Sequence, residues 1–349
     1  MWAVAVSIII VVLLFSSLFI KNRSNFEILN KYPIDIVYTW VEQNEDFDRE
    51  KMYWLNKSNI DYTKMKHSVD KRRFQDNEEL KYSLRSLEKH FPYVNNIYIV
   101  VKDGQKPLYV NFDNPKIHLV NHSEIIPNEY LPTFNSMAIE CYLHRIPNLS
   151  EYYLYFNDDI MLSNNVDPSY FINFQSGIPY SLHSYDNKKS YRHKNYDYDN
   201  YFFEDGWHVN FLMLNELCKN NEISRYTISH IPKMYKKSLD YEIESRLKKY
   251  YFNNSSINSY DKTGMSKFRK NDNLYLIAFL KQYLYVNWFN GNFKKTYECY
   301  MSSSNKLKYL NRDYSKVNFI CIQSVLDNHH DYYHKVMEYF YPKKSQFEF

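Results

Sequence analysis

Runs of apolar residues predict buried β-strands at four places along the chain. The clearest run occupies residues 152–156, where five Tyr, Leu and Phe residues follow one another. Further runs lie at residues 34–41, 97–101 and 117–120. Three short polar residues, 157–159, follow the first run directly. The pattern therefore predicts polar side chains at the point where a buried strand ends.

Helical spacing appears between the predicted strands. Four apolar residues recur at intervals of three and four over residues 80–91, which predicts an amphipathic helix over residues 76–91. Asp76 or Asn77 is suited to cap its start. A second helix is predicted over about residues 136–144. Strands that alternate with helices in this order predict an α/β fold in which sequential strands are neighbours.

The beginning of the chain is strongly apolar. Residues 2–20 carry no charge and, as a helix, would span about 30 Å of hydrocarbon. A cleaved signal peptide has a shorter apolar run and a basic start, so an uncleaved membrane anchor over residues 1–20 is predicted, with 21–33 as a stem. Lys21 and Arg23 favour a cytoplasmic domain behind this single span. The alternative is a domain in the lumen of the Golgi or the ER.

Composition narrows the class of protein. Residues 34–349 suit one large domain with a variable polar segment at about 163–225. Lys and Arg number 44 against 40 Asp and Glu, an excess too small to indicate a nucleic-acid partner. The five glycines are too far apart to form a phosphate-binding loop, so any nucleotide must be held by side chains, ordinary loops and metal. The four cysteines permit two disulfides or four thiols.

Polar and aromatic residues near the predicted strand and helix ends suit a nucleotide diphosphate. Asp158 and Asp159 offer hard oxygen ligands for a divalent cation, and they equally suit an ordinary turn. Trp40 suits stacking on a base or sugar, or a place in the core. Arg73 suits diphosphate oxygens near a helix start, or a solvated face. Residues 133–136 suit an anion site or an ordinary helix cap.

Four blocks of sequence together resemble the Stealth family. The first is IDIVYTWV at residues 34–41, and the second runs over 73–162 with LPTFNSMAIE and YLYFNDD within it. The third joins His-Ile-Pro at 230–232 to Phe-Arg at 268–269, and the fourth is the Cys321 region with the terminal SQFE. That family includes bacterial capsular polysaccharide hexose-phosphotransferases. It also includes the catalytic subunit of the N-acetylglucosamine-phosphotransferase that tags lysosomal enzymes.

The resemblance implies a Rossmann-like nucleotide-sugar transferase domain of the glycosyltransferase A type. It implies transfer of a sugar 1-phosphate from a UDP-sugar to a hydroxyl of an acceptor glycan, as in capsule or exopolysaccharide synthesis, with release of UMP. Mg²⁺ or Mn²⁺ held by Asp158 and Asp159 would stabilise the phosphoryl charge that develops. His230 is the candidate base for the acceptor hydroxyl, with an Asp of the pair as its rival, and Arg73 and Arg269 are candidate clamps on the diphosphate. The other candidate substrate-binding residues are Tyr38, Thr39, Trp40, Asn77, Asn135, Ser136 and Asn157.

The chain departs from the family pattern at two places. Residues 42–46 replace the usual Asp/Asn-Gly-Ser/Thr-Asp, and Gln323-Ser324 stand where Asn-Asp is usual, which removes a carboxylate. Two other functions therefore stay open. One is a conventional nucleotide-sugar glycosyltransferase that releases UDP, and the other is a membrane-anchored glycan-binding protein that has lost catalysis.

Overall fold

A computed structural model gives the architecture of most of the chain. It describes residues 32–57, 69–185, 214, 217–218, 227–252, 267–268, 277–296, 299–302, 317–323, 325 and 329–349. The predicted membrane anchor and stem, Arg269 and Ser324 lie outside the described residues, apart from Tyr32 and Pro33 at the end of the stem. Within the described part, no helix combines the length and the apolar character needed to cross a bilayer.

The centre of the fold is a five-stranded sheet in the order β10-β4-β1-β2-β3. Its strands are β1 (Ile34–Thr39), β2 (Val94–Val101), β3 (Ile117–Asn121), β4 (Tyr152–Asn157) and β10 (Lys233–Lys236). The strands β1 to β4 run parallel, and β10 is antiparallel to β4. The predicted strands and the α/β class are therefore confirmed. The first strand ends at Thr39, two residues earlier than its apolar run predicts.

The amphipathic helix predicted over residues 76–91 is observed as a shorter element. Helix α2 spans Glu79–His90, and Leu80, Leu84 and Leu87 on it are fully buried against one face of the sheet. The other helices are α1 (Glu45–Lys57), α3 (His122–Ile125), α4 (Ser136–Tyr142), α5 (Lys237–Phe252), α6 (Ile277–Phe289) and α7 (His330–Phe340). Short 3₁₀ turns lie at Lys71–Arg73, Asn128–Tyr130, Leu143–Arg145 and Pro168–Tyr170.

Smaller sheets extend the fold beyond the central one. The first contains β11 (Phe293–Lys295), β8 (Ser181–Tyr185) and β9 (Thr227–Ile228), and the second contains β12 (Cys299–Ser302), β13 (Phe319–Gln323) and β5 (Ile160–Leu162). A two-stranded pair joins β6 (Ile172–Asn173) to β7 (Ile178–Pro179). Because β5 follows β4 after a two-residue turn, the second sheet begins where the central strand ends.

The core lies on both faces of the central sheet. Helix α2 covers one face, and helices α4 and α6 cover the other. Part of the high tyrosine content serves this core, where several buried tyrosine hydroxyls are hydrogen-bonded. Tyr153 and Lys281 donate to Oδ2 of Asp240 at 2.5 and 3.0 Å. Tyr285 donates to Oδ1 of the same carboxylate at 2.8 Å. The buried charge of Asp240 is thereby paired and solvated by the protein.

The segment predicted as variable and polar, residues 163–225, is only partly of that kind. Residues 163–185 contain β6, β7 and β8, and Phe171, Ile172 and Leu182 are buried in the core. Weak periodicity hid these strands because two of them are only two residues long. Three thiols, Cys141, Cys218 and Cys321, are buried.

Candidate active site at the carboxyl ends of β1 and β4

Asp158 and Asp159 form the turn between β4 and β5. The strand β4 ends at Asn157, which is paired in register with Thr39 at the end of β1. Both aspartates are partly exposed at this edge of the sheet. Ligands of open α/β sheets bind outside the carboxyl ends of the strands, so the predicted position of the pair is confirmed.

Two neighbouring elements fix the backbone around this turn. Ser83 on α2 donates its hydroxyl to the carbonyl of Ile160, the residue directly after the pair, at 2.5 Å. On the other side, the amide of Ile322 in β13 donates to the carbonyl of Asp159 at 3.0 Å. The main chain of the turn is therefore held by a helix and by a strand that lie far apart in sequence.

Two further carboxyl groups lie at the start of α2. Asp76 accepts a hydrogen bond from the hydroxyl of Tyr109 at 3.0 Å and one from the amide of Glu78 at 2.9 Å, and burial raises its pKa to about 6. Glu79 accepts from the amide and the side chain of Asn77 at 2.6 and 2.7 Å, and burial raises its pKa to about 7. These two groups stay partly protonated near neutral pH.

The four carboxyl groups act on one another electrostatically. Burial raises the pKa of Asp158 well above its usual range, and the charges of Asp159, Glu79 and Asp76 raise it further, in that order. We call Asp76, Glu79, Asp158 and Asp159 the acidic cluster. Carboxylates crowded in this way favour protonation or a bound cation, and perturbed pKa values of this kind gather at functional sites.

The start of α2 does not have the predicted cap. Glu78 precedes the helix in the left-handed region, with φ at 61°, and neither Asp76 nor Asn77 caps it. A non-glycine residue in this conformation stores strain that the surroundings must offset. Here the side chain of Glu79 folds back to Asn77, which holds the buried carboxyl beside the strand ends.

A cavity of about 530 Å³ opens beside the acidic cluster. Trp40 forms part of its wall, so this predicted residue does lie at a ligand-sized space. The lining residues are Trp40, Glu42, Asp76, Glu78, Leu108, Tyr109, His330 and His334. Sequence reasoning missed Tyr109 and both histidines. The His-x-x-x-His spacing on an amphipathic helix was the one available signal, because such residues share a helix face.

The other predicted residues of β1 have structural partners. Tyr38 is fully buried, and its hydroxyl lies 2.9 Å from that of Ser83, so it packs against α2 instead of shaping a nucleoside pocket. This corrects the prediction for Tyr38, which lies inside β1 where α2 covers its side chain. The hydroxyl of Thr39 lies 3.1 Å from that of Tyr155, which in turn donates to Glu140 at 3.1 Å. Thr39 is half-buried at the end of β1.

The remaining predicted binding residues lie on several elements. Asn135 is buried and caps α4, where it accepts from the amide of Met137 at 3.2 Å, and Ser136 begins that helix. Arg73 is exposed on the 3₁₀ turn Lys71–Arg73. Asn77 is buried with its amide on Glu79, and Asn157 is half-buried at the end of β4.

His230 reaches the same edge of the sheet as the aspartates. The β10–β4 register pairs Lys233 with Tyr155 and runs antiparallel, so the chain before Lys233 continues towards Asp158. His230 is half-buried, and its Nδ1 lies 3.7 Å from the sulfur of Cys321. In the same way, β13 brings the fourth block to the turn, since Ile322 bonds Asp159. Gln323 follows directly at the end of that strand.

Within the described residues, no three His, Cys, Asp or Glu side chains converge as a metal-binding group. The predicted ion therefore has no complete set of protein ligands in that part of the chain. Mg²⁺ sites in nucleotide enzymes use one or two carboxylates together with substrate phosphates and water, so two aspartates at the end of a strand suit that mode of binding.

Comparison with known proteins connects this region to a family. Residues 73–179 match the model described as Stealth protein CR2, conserved region 2. This match contains the whole acidic cluster, and it extends into the segment predicted as variable.

Several curated relatives match the same part of the chain. A capsular polysaccharide phosphotransferase, fcs1, of Haemophilus influenzae is 42% identical over 139 residues, which is 40% of this chain and 37% of the relative. One from Neisseria meningitidis serogroup B is 41% identical over 41% of this chain and 39% of that protein. The mouse N-acetylglucosamine-1-phosphotransferase subunits alpha/beta are 47% identical over 45% of this chain and 13% of that protein. The chain thus spans well under half the length of these relatives.

A solved structure of the galactosyltransferase LgtC with donor and acceptor sugar analogues aligns with 87% of this chain and 95% of its own, at 9% identity and a TM-score of 0.39. That score is too low to support an argument. The sequence matches confirm the resemblance to the Stealth family. The family model that matches is conserved region 2, over residues 73–179.

Proposed function

We propose that the protein is a sugar-phosphate transferase. It moves a sugar 1-phosphate, of a hexose or an N-acetylhexosamine, from a UDP-sugar to a hydroxyl of an acceptor glycan. The new bond joins the acceptor oxygen to the sugar-proximal phosphorus, and the bond from that phosphorus to the bridging oxygen breaks. The products are a phosphodiester and UMP.

The acidic cluster is the observation that carries this proposal. It lies at the carboxyl ends of β1 and β4, inside the region that matches named phosphotransferases. The charges of the other three members raise the pKa of Asp158, and Asp76 of the cluster lines a cavity of about 530 Å³. Such a concentration of negative charge suits a divalent cation that neutralises a diphosphate, which is what this transfer requires.

The proposed cofactor of the enzyme is Mg²⁺ or Mn²⁺, which would be held by Asp158 and Asp159. The donor set fits a hard cation, since both residues offer carboxylate oxygens and the neighbouring Asp76 and Glu79 strengthen the negative field. When bound, the ion would supply positive charge where phosphoryl oxygens become more negative.

The protein groups around the turn have separate tasks in the transfer. His230 takes the proton from the acceptor hydroxyl, and its place at the same sheet edge supports this role. Trp40, on the cavity wall, orients the flat nucleoside or the sugar. Asn157 and Thr39 at the strand ends position the donor through hydrogen bonds. Arg73 and Arg269 bind the diphosphate through their positive charges.

We further propose the glycosyltransferase A arrangement for the domain and a single membrane span at residues 1–20. The parallel order β4-β1-β2-β3 with helices on both faces supports the first, because sheets of this kind bind ligands outside the carboxyl ends of their strands. The uncharged run of residues 2–20 supports the second.

Product analysis tests the proposal. The full chain is incubated with a panel of UDP-sugars, candidate acceptors and Mg²⁺ or Mn²⁺, and nucleotides are separated by chromatography. UMP with a phosphodiester product is the expected result. Release of UDP would instead assign a conventional glycosyltransferase. Binding of glycans without turnover of any donor would assign a protein that has lost catalysis.

Two variants test whether the activity depends on the turn between β4 and β5. Asp158→Asn and Asp159→Asn keep size and remove charge, and loss of one strong electrostatic contact costs on the order of 3 kcal/mol, about a hundredfold in rate. Each variant is therefore expected to release UMP at least about a hundredfold more slowly. Asp113→Asn, a change on the exposed surface, serves as the matched control. Near-normal turnover in both variants would refute the mechanism.

A further inference from the structure

A pair of histidines on the cavity wall has no part in the proposed transfer. His330 and His334 lie one turn apart on α7, and both line the cavity. Their Nε2 atoms are 3.3 Å apart, and their ring centroids are 4.4 Å apart. We propose that these two Nε2 atoms bind a transition-metal ion of the Zn²⁺ class, at a site separate from the aspartate turn.

The separation of the two nitrogens fits a shared ion. Zn²⁺ lies about 2.0–2.1 Å from imidazole nitrogen in tetrahedral sites, so two such nitrogens on one ion stand about 3.3 Å apart. The observed distance between His330 and His334 has this value. Histidines four residues apart on a helix recur as zinc ligands because they share one face. Binding would thus need little movement of either ring.

The surroundings of His334 direct its Nε2 towards the ion. Its Nδ1 lies 2.8 Å from the hydroxyl of Tyr82, which lies 3.2 Å from Oε1 of Glu338. Because the Tyr82 hydroxyl donates to that carboxylate, its oxygen accepts a hydrogen bond from Nδ1–H of His334. Nε2 of His334 then carries the lone pair. A ligating histidine ordinarily donates its other nitrogen to such a partner, and this fixes ring and tautomer.

The charge state of His334 also suits a ligand. Burial lowers its pKa, and the neighbouring His330 lowers it further. A neutral imidazole is the form that binds metal. The alternative for this geometry is a hydrogen bond between the two rings, with Nε2–H of His330 donating to His334. A metal titration separates the two cases, because a ring-to-ring hydrogen bond creates no affinity for zinc.

The rest of the coordination sphere faces the cavity. Within the described residues, no third His, Cys, Asp or Glu completes a metal-binding group with the pair. The carboxylate of Glu78 lies on the same cavity wall, near enough to act on the pKa of His334. The remaining positions are open to water or to an anionic ligand in the cavity. Open sites of this kind leave zinc free to contact a substrate oxygen.

The affinity for zinc does not depend on the proposed transfer, so it is measured without a substrate. Zn²⁺ is titrated calorimetrically into the full chain with Mg²⁺ in excess, so that carboxylate sites are occupied by the hard ion. One zinc per chain is expected to bind in the presence of this excess Mg²⁺, because the hard ion does not occupy the two imidazoles. His330→Ala and His334→Ala are each expected to weaken that binding at least about tenfold, because one of two protein ligands is lost.

Three further measurements test whether zinc binds at these two histidines. His90→Ala, at the other end of α2 from the acidic cluster, is the matched control and should bind zinc like the natural chain. Tyr82→Phe keeps the ring and removes the hydroxyl on Nδ1 of His334, and it should weaken binding about tenfold. A rise of the melting temperature with zinc, absent in His334→Asn, would show binding to the folded protein. Zinc affinity in both histidine variants equal to that of the natural chain would overturn the proposal.

Discussion

Replacing Glu79 by Gln tests whether the acidic cluster carries unfavourable charge. Glu79 is buried, and its pKa is raised from 4.5 to about 7. A carboxyl group whose pKa is higher in the folded state stabilises that state most when protonated. Its contribution is full below about pH 4.5 and is lost as the pH rises through about 7.

The size of the effect follows from the same shift. A rise of the pKa from 4.5 to about 7 corresponds to about 3 kcal/mol of unfolding free energy between acidic and alkaline conditions. Glu79→Gln removes this titration. It also replaces an oxygen that accepts from Asn77 by an NH₂ group, and that costs about 1–2 kcal/mol at every pH. The pH dependence, and not the absolute stability, is therefore the informative quantity.

Urea denaturation at pH 5 and pH 8 measures this dependence. The natural chain is expected to lose about 2.5 kcal/mol more than Glu79→Gln over that interval, because pH 5 already lies above the usual pKa of 4.5. Glu129→Gln, at an exposed position, should behave like the natural chain. Added Mg²⁺ should reduce the loss at pH 8, since an ion that binds only the folded state stabilises it, and Asp158→Asn should abolish this rescue. Identical pH slopes in the natural chain and Glu79→Gln would refute the account of the cluster.

Four other predictions concern separate parts of the chain. Arg85→Met breaks a buried pair in which Arg85 donates to both oxygens of Glu348 at 2.8 and 3.0 Å, and it should lower the unfolding free energy by about 3–5 kcal/mol in urea. Gly177→Ala should cost about 1–2 kcal/mol in the same assay, because φ is +63° there and the new Cβ would lie 3.1 Å from a tyrosine hydroxyl. Ser324→Asp should change the rate of UMP release by less than about tenfold, and a large gain would show that the natural chain is impaired. Residues 2–20 should keep the protein in membranes through carbonate extraction, and recovery of a soluble chain that begins after them would show a cleaved signal instead.

The strands of the central sheet could be predicted from the sequence because their signal is local. The apolar run at 152–156 needs no partner to indicate a buried strand, and the polar residues after it mark the end. The helix over Glu79–His90 was equally visible. Its start was not, since the left-handed backbone at Glu78 and the return of Glu79 to Asn77 depend on packing.

The cavity could not be predicted for a different reason. Its wall combines the end of β1 at Trp40, the loop at Tyr109 and the helix at His330, which are separated by long stretches of chain. Propensity and spacing report on neighbours within a few residues, so they do not reveal which distant side chains meet. Tyr38 shows the same limit on a smaller scale. Its place two residues before Trp40 suggested a contact with the ligand, but helix α2 covers Tyr38 and its hydroxyl contacts Ser83.

The order of the central sheet bears on how the chain folds. The first strand lies in the middle, between β2 and β4, and its pairing with β4 joins Ile34 to Tyr152. Pairings between such distant residues are slow to form. A ribosome adding about 5–20 residues per second needs about 6–24 seconds to reach that partner. Through this interval one hydrogen-bonding edge of an apolar parallel strand lacks its partner, which makes co-translational protection of that edge a requirement for high yield.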